Sequence, residues 1–150
     1  MIDARLATLG ILAGGQARRL GGRDKALLLA EGVPQLERVL AALPQPFHER
    51  LLSYHRDPAG LPAGLRVVAD ERTGSQGPLA GLEALAGACR TPWLLTVPVD
   101  CRDVPADLFA TLADSVKRDG ATLDDGDGPQ PLPAAPSVAP FRGIPYLRLR

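Results

Sequence analysis

Leu9-Gly10-Ile11-Leu12-Ala13-Gly14-Gly15-Gln16-Ala17-Arg18-Arg19-Leu20-Gly21-Gly22-Arg23-Asp24-Lys25 is the stretch whose reading decides the fold. An apolar run, Leu9 to Leu12, leads into a segment holding Gly14, Gly15, Gly21 and Gly22 together with Arg18, Arg19, Arg23 and Lys25. The pattern reads as a strand that ends in a loop able to hold phosphate. Glycines let backbone N–H groups approach an anion closely and turn inward as a nest. Arg19 and Lys25 supply positive charge. The competing reading is a surface turn whose arginines are merely solvated. The strand in front of the loop favours the anion site, because a glycine-rich loop counts as one only in that context. The stretch is neither the GxxxxGK[ST] nucleotide loop nor the GxGxxG dinucleotide fingerprint, so neither mechanism transfers whole.

Around this stretch, the bulk properties narrow the field. A chain of 150 residues with 45% hydrophobic content is sized for one soluble domain with a real core. Seventeen basic and 17 acidic side chains cancel to a formal net charge of zero. That balance argues against broad electrostatic binding to nucleic acid or to an anionic membrane. It leaves a small anionic ligand open, since such a ligand needs only a local patch. Cys89 and Cys101 form no CxxC pair and have no His/Cys cluster about them, so a structural zinc site is not expected and two reduced thiols are. Met1 to Arg5 lacks the basic-then-apolar pattern of a signal peptide, and no apolar run approaches the roughly 20 residues that span a bilayer. A cytoplasmic location follows as the expectation.

Along the chain, strands and helices alternate. Arg5–Leu12 reads as a buried strand, and Lys25–Leu29 as a short apolar run ending at Glu31-Gly32. Pro34 suits the first turn of a helix carrying Leu36, Val39, Leu40 and Leu43, which Pro44 and Pro46 end. Arg50–Tyr54 and Leu65–Ala69 are two further strands. Pro78 opens a helix with Leu79, Leu82, Leu85, Ala86 and Cys89 on one face. Trp93–Val97 is the clearest buried strand. Pro105 is expected to open another helix through Leu108, Leu112 and Val116, with Gly120 ending it and Ala121–Leu123 starting a strand. This alternation predicts an α/β fold with a mainly parallel sheet flanked by helices. Ligands of such sheets bind at the carboxyl ends of the strands. Gly14, Ser53, Asp70 and Asp100 all fall at or just beyond predicted strand ends. From Asp124 the pattern breaks. Prolines recur at 129, 131, 133, 136, 140 and 145, and they forbid a regular helix or a central strand. The expected division is a folded domain over residues 1–133 and a proline-rich, irregular tail over 134–150.

Asp100 follows the clearest strand and is the candidate ligand for Mg²⁺, which prefers one or two carboxylates plus phosphate oxygens and waters. Simple loop solvation is the alternative. Asp103 is read first as a helix cap before Pro105, and Asp70, on local sequence alone, as a turn residue. In Gly77-Pro78-Leu79-Ala80-Gly81 the glycines leave room for a base or ribose. Gly81 inside a helix costs about 1 kcal/mol against alanine and so calls for a packing or functional reason. His48 and His55 read as surface residues. No serine stands in a GxSxG elbow.

Three stretches together resemble the molybdenum cofactor guanylyltransferases, the MobA-like nucleotidyltransferase family. They are Leu12-Ala13-Gly14-Gly15 with Arg19 and Gly21-Gly22-x-Asp24-Lys25, then Gly77-Pro78-Leu79-Ala80-Gly81, then Pro98-x-Asp100-x-x-x-x-Pro105. The LAGG start is shared with many nucleotidyltransferases; the Gly-Gly-x-Asp-Lys ending favours the molybdenum cofactor branch. The resemblance covers about Ala7 to Leu132. It implies a Rossmann-like nucleotidyltransferase fold and a reaction of GTP with molybdenum-molybdopterin that yields the guanine dinucleotide cofactor and pyrophosphate. Leu12, Ala13 and Gly14 would contact the nucleotide. Gly14, Gly15 and Lys25 would stabilise the leaving pyrophosphate, assisted by Arg19. Asp70 would help bind GTP, Gly77, Pro78 and Leu79 would line the nucleotide, and Asp100 would hold Mg²⁺. Ser53 and His55 stand where the family usually has asparagine. Cofactor-delivery proteins are candidate partners, and neither nucleic acid nor membrane is expected.

After Leu132 the resemblance stops. Family members continue with another helix, another strand and an asparagine-containing motif, and a truncated or frameshifted C-terminus is the expectation here. Two other functions stay open at this stage: a related transferase using CTP or a sugar-phosphate acceptor, and a truncated, non-catalytic GTP-binding protein.

Overall fold

The computed structural model describes residues 2–13, 24, 26–55, 58–69, 78–101, 103–116, 120–122 and 146–149. A short 3-10 helix, Ala4–Leu6, leads into β1, Ala7–Leu12. Next come a small hairpin, β2 (Leu29–Ala30) and β3 (Val33–Pro34), and the helix α1, Gln35–Ala42. Then follow β4 (Glu49–Ser53), β5 (Arg66–Val68), α2 (Pro78–Ala88) and β6 (Trp93–Pro98). The last elements are α3 (Leu108–Ser115), β7 (Gly120–Thr122) and β8 (Tyr146–Leu149).

Among the described residues the main sheet runs β5-β4-β1-β6-β8-β7. The first four are parallel to one another; β8 is antiparallel to both its neighbours. The sheet is therefore mainly parallel and flanked by helices, as the alternation predicts. The strand order reverses at β1, which pairs with the following strand β4 on one side and with β6 on the other. That is the switch point at which open α/β sheets bind ligands.

All six residues of β1 are buried, as expected of a strand covered on both faces. Leu9 and Ile11 face one layer, packing with Leu95 and Val97, with Leu36, Val39 and Leu43 of and just after α1, and with Leu108, Phe109 and Leu112 of α3. The Phe47 and Phe109 rings meet edge to face at 5.2 Å. Leu12 faces the other layer with Leu51, Leu85, Cys89 and Leu94. Gly10 makes that second layer thin. A Cβ there would lie 3.0 Å from Leu94 and 3.1 Å from Leu85, so its absence lets α2 sit close on β1.

Five local expectations change. Lys25–Leu29 does not end in a plain turn: Glu31 (φ 54°) and Gly32 (φ 80°) both adopt the left-handed conformation and close the β2–β3 hairpin, as a two-residue type I′ turn requires. On α2 the buried face is Ala80, Gly81, Leu85 and Cys89, and Ala86 is exposed. The third helix begins at Leu108 rather than Pro105; residues 105–108 make a turn closed by the Leu108 N–H on the Pro105 carbonyl at 3.0 Å. Gly120 does not end this helix. α3 stops at Ser115 with Val116 at its C-cap, and Gly120 opens β7. Within the proline-rich segment, Tyr146–Leu149 forms a regular strand between β6 and β7. It begins directly after Pro145, where the chain regains the N–H groups that a ladder needs.

The edge at which β1 and β4 begin is closed by a part-buried polar cluster around Glu49, with Thr8 and Thr91 buried beneath it. Glu49 accepts from the Arg66 guanidinium at 2.9 Å, the Arg90 backbone N–H at 3.1 Å and the Thr8 hydroxyl at 3.3 Å. The Thr8 and Thr91 hydroxyls lie 2.7 Å apart. Burial alone would raise the Glu49 carboxyl; the Arg66 contact and the other two donors outweigh it and hold the group below its ordinary value. A depressed carboxylate stabilises the fold above its unfolded pKa and loses that contribution as pH falls through the folded one. Glu49→Gln is therefore expected to destabilise the protein by about 1–3 kcal/mol at neutral pH. Urea melts of the two proteins should converge as pH drops below the ordinary carboxylate value of 4.5.

Candidate nucleotide site at the carboxyl edge of the sheet

Pairing in register brings four strand ends level. Leu12 lies opposite Ser53 on one side and Pro98 on the other, and Val68 lies opposite Ser53. The chain beyond each end stays bonded to its neighbour. Ala13 donates its N–H to the Ser53 carbonyl at 3.2 Å, Val99 to the Leu12 carbonyl at 2.9 Å, and Tyr54 to the Val68 carbonyl at 3.1 Å. Leu12 and Ala13, two of the expected nucleotide contacts, thus form the rim of the sheet at the switch point, and both are 9% exposed.

Ser53 is 1% exposed, and its hydroxyl is turned toward α2. A Cβ on Gly81 would stand 2.7 Å from that hydroxyl oxygen and 3.1 Å from Leu12 Cδ2. The glycine inside the helix therefore has a packing reason: it lets the first turn of α2 rest on the ends of β1 and β4. Pro78 and Leu79 begin that turn. Helix N-termini carry unsatisfied N–H groups and partial positive charge, and so favour anions.

Asp100 is exposed, on the turn directly after β6, where Cys101 donates its N–H to the Pro98 carbonyl at 3.1 Å. Cys101 and Cys89 form no disulfide. Burial, with the nearby charges of Asp100 and Asp103, pushes the Cys101 thiol up, so it stays protonated and is no nucleophile at neutral pH. Asp103 is not the helix cap. It adopts the left-handed conformation (φ 51°), and Asp107 occupies the N-cap position without a side-chain bond. Among the described residues no three His, Cys, Asp or Glu side chains group as a metal cage. The exposed Asp100 carboxylate fits Mg²⁺ that arrives on a triphosphate and keeps several waters.

Two polar residues outside the expected set tie this edge together. Asp24 accepts from the Ala26 N–H at 2.9 Å through one carboxylate oxygen and from the Tyr54 hydroxyl through the other. Gln35, 8% exposed, donates from its side-chain amide to the Cys101 carbonyl at 3.1 Å. These bonds span 30 and 66 residues, so no local pattern announces them. The Asp-x-Ala turn at 24–26 was the one readable signal. Gly14, Gly15, Arg19, Lys25, Asp70 and Gly77, all expected at the site, lie outside the described residues. His48 and His55 are exposed, as read from the sequence.

An open parallel sheet with a glycine-rich segment leaving its first strand at the switch point is the framework of a nucleotide-binding transferase. The comparisons agree. The MobA-like NTP transferase domain matches residues 9–147, and the chain belongs to that family. It is 38% identical over 126 residues to the molybdenum cofactor guanylyltransferase of Shewanella sp. strain MR-4, covering 81% of this chain and 64% of that protein. The chain thus spans just under two-thirds of the length of such relatives. In fold it resembles molybdopterin-guanine dinucleotide biosynthesis protein A from Archaeoglobus fulgidus (TM-score 0.61, 18% identity, 94% of this chain and 67% of that one). It also resembles the 2-C-methyl-D-erythritol 4-phosphate cytidylyltransferase from Thermus thermophilus (TM-score 0.59, 21% identity, 93% and 69%). No described helix is long and apolar enough to cross a membrane.

The packing at Gly81 is testable by a double-mutant cycle. Gly81→Ala gains about 1 kcal/mol of helix propensity but loses about 1–3 kcal/mol to overpacking against Ser53, a net destabilisation. With Ser53→Ala already in place the contact is relieved, and the same change becomes neutral or stabilising in thermal melts.

Proposed function

We propose that this domain transfers the guanylyl group of GTP to the phosphate of molybdenum-molybdopterin, forming molybdopterin guanine dinucleotide and releasing pyrophosphate. The observation that carries the reading is a shared edge. Asp24, one residue before Lys25, and Asp100 are both anchored at the carboxyl ends of the parallel strands. Identity with proteins named molybdenum cofactor guanylyltransferase supports the choice of nucleotide and acceptor.

In this reading the triphosphate lies over the rim formed by Leu12 and Ala13. The backbone of Gly14 and Gly15 and the Lys25 ammonium hold its β- and γ-phosphates, with Arg19 beside them. The first turn of α2, reached through Gly77, Pro78 and Leu79, borders the nucleoside, as does Asp70, while Ser53, buried under Gly81, supports that turn from below. A phosphate oxygen of the pterin attacks the α-phosphorus, the bond from that phosphorus to the β-bridging oxygen breaks, and pyrophosphate leaves. Such a transfer depends on alignment and charge neutralisation more than on a general base. Asp100 would hold Mg²⁺ on the phosphate oxygens, and the ion, when bound, neutralises the charge that develops there.

The test is pyrophosphate release by the purified chain with GTP, Mg²⁺ and molybdenum cofactor. Lys25→Ala and Asp100→Ala are each expected to lower turnover by about 10²–10³-fold, the second with loss of metal dependence. Wild-type transfer in either variant contradicts the assignment. Equal turnover with CTP would make this a related transferase of different specificity. GTP binding without pyrophosphate release would make it a non-catalytic binding protein.

A further inference from the structure

Lys25 sits in the chain between two residues that the scaffold holds. Ala26 is fully buried, and its carbonyl accepts from the Leu36 N–H at 3.1 Å. The Asp24 carbonyl accepts from the Leu28 N–H at 3.1 Å. These bonds are local to the segment 24–36. The Ala26 N–H on the Asp24 carboxylate, at 2.9 Å, is local as well. Among the described residues, these bonds do not tie Asp24 to the sheet. The Tyr54 hydroxyl does. Tyr54 follows β4 directly, is 3% exposed, and has its own backbone bonded to β5. From that fixed point its O–H reaches the second Asp24 carboxylate oxygen.

We propose that Tyr54 is a positioning residue for Lys25: its buried hydroxyl, bonded to Asp24, sets where the chain enters residue 25 relative to the ends of β1, β4 and β6. The inference rests on the reading of Lys25 as a ligand of the triphosphate. The chemistry matches the task. A phenol ring buried in the core is a stiff arm with few rotatable bonds. Its hydroxyl is bonded to a carboxylate, and charge-assisted hydrogen bonds are the stronger and shorter class. A lysine ammonium on a long flexible stem benefits most from a fixed backbone origin. Nothing in this arrangement requires Tyr54 to touch the nucleotide.

The test compares GTP with GMP binding, in the presence of Mg²⁺, by calorimetry on the full chain. Tyr54→Phe keeps the ring and removes the hydroxyl. It is expected to weaken GTP binding about tenfold, the size of one charge-assisted hydrogen bond. GMP, which lacks the phosphates that Lys25 serves, should bind within about twofold of wild type. In a Lys25→Ala background the same substitution should have no further effect on GTP, because the group it positions is gone. Equal weakening of GTP and GMP, or a full tenfold effect surviving in the Lys25→Ala background, overturns the proposal and leaves Tyr54 a structural residue. Unchanged GTP affinity in Lys25→Ala alone overturns the underlying reading of Lys25 as well, and is recognised by appearing in that single variant. Should Tyr54→Phe fail to fold, Asp24→Ala, which leaves the Tyr54 hydroxyl no carboxylate to bond, goes through the same cycle with the same criteria.

Discussion

Parallel pairing of β1 with β4 and β6 brings Ser53, Leu12 and Pro98 level at one edge of the sheet. Each chain leaving that edge is bonded to the strand beside it before it diverges, through Ala13, Tyr54 and Val99. A shift of one residue in either pairing would turn Leu12 and Ser53 to the opposite faces. It would also break the fit that Gly81 makes over both of them. The close approach of α2 needs two missing side chains, at Gly10 and Gly81. Those glycines bring the first turn of the helix to the same edge as the glycine-rich segment.

Polar side chains from the scaffold reach this edge and fix its loops. Tyr54 holds Asp24, and Gln35 holds the carbonyl after Asp100. The opposite edge is closed by the Glu49, Arg66, Thr8 and Thr91 cluster. One end of the sheet is thus tied by the Glu49–Arg66 ion pair, while the other carries the exposed Asp100 on the turn after β6.

The alternation of strands and helices was readable because β1 and β6 are short, dense apolar runs buried on both faces, and Pro78 marks the start of α2. The end of the Leu9–Leu12 run marked the switch point for the same reason. What escaped the reading was tertiary. The apolar run was read only as ending at Glu31-Gly32, and the β2–β3 hairpin that this left-handed pair closes went unread, since glutamate gives no hint of positive φ. Pro105 looked like a helix start, but the chain takes a further turn before Leu108. Tyr146–Leu149 pairs in the sheet although prolines recur from Pro129 to Pro145 before it, since only the residues after Pro145 enter the ladder. Ser53 lies at a strand end as expected, yet its hydroxyl faces Gly81, a contact set by packing between layers. Tyr54 and Gln35 act across 30 and 66 residues, beyond the reach of any motif.

The central claim is that GTP is held at the carboxyl edge of the parallel strands. Backbone amide resonances followed through a GTP titration with Mg²⁺ test it most directly. The amides of Ala13, Ala26, Tyr54 and Cys101 should shift together with one saturation curve, while those of His48, Arg90 and Thr91 at the opposite edge stay in place. Shifts confined to His48, Arg90 and Thr91, or no saturable shift at Ala13 and Ala26, would contradict the account.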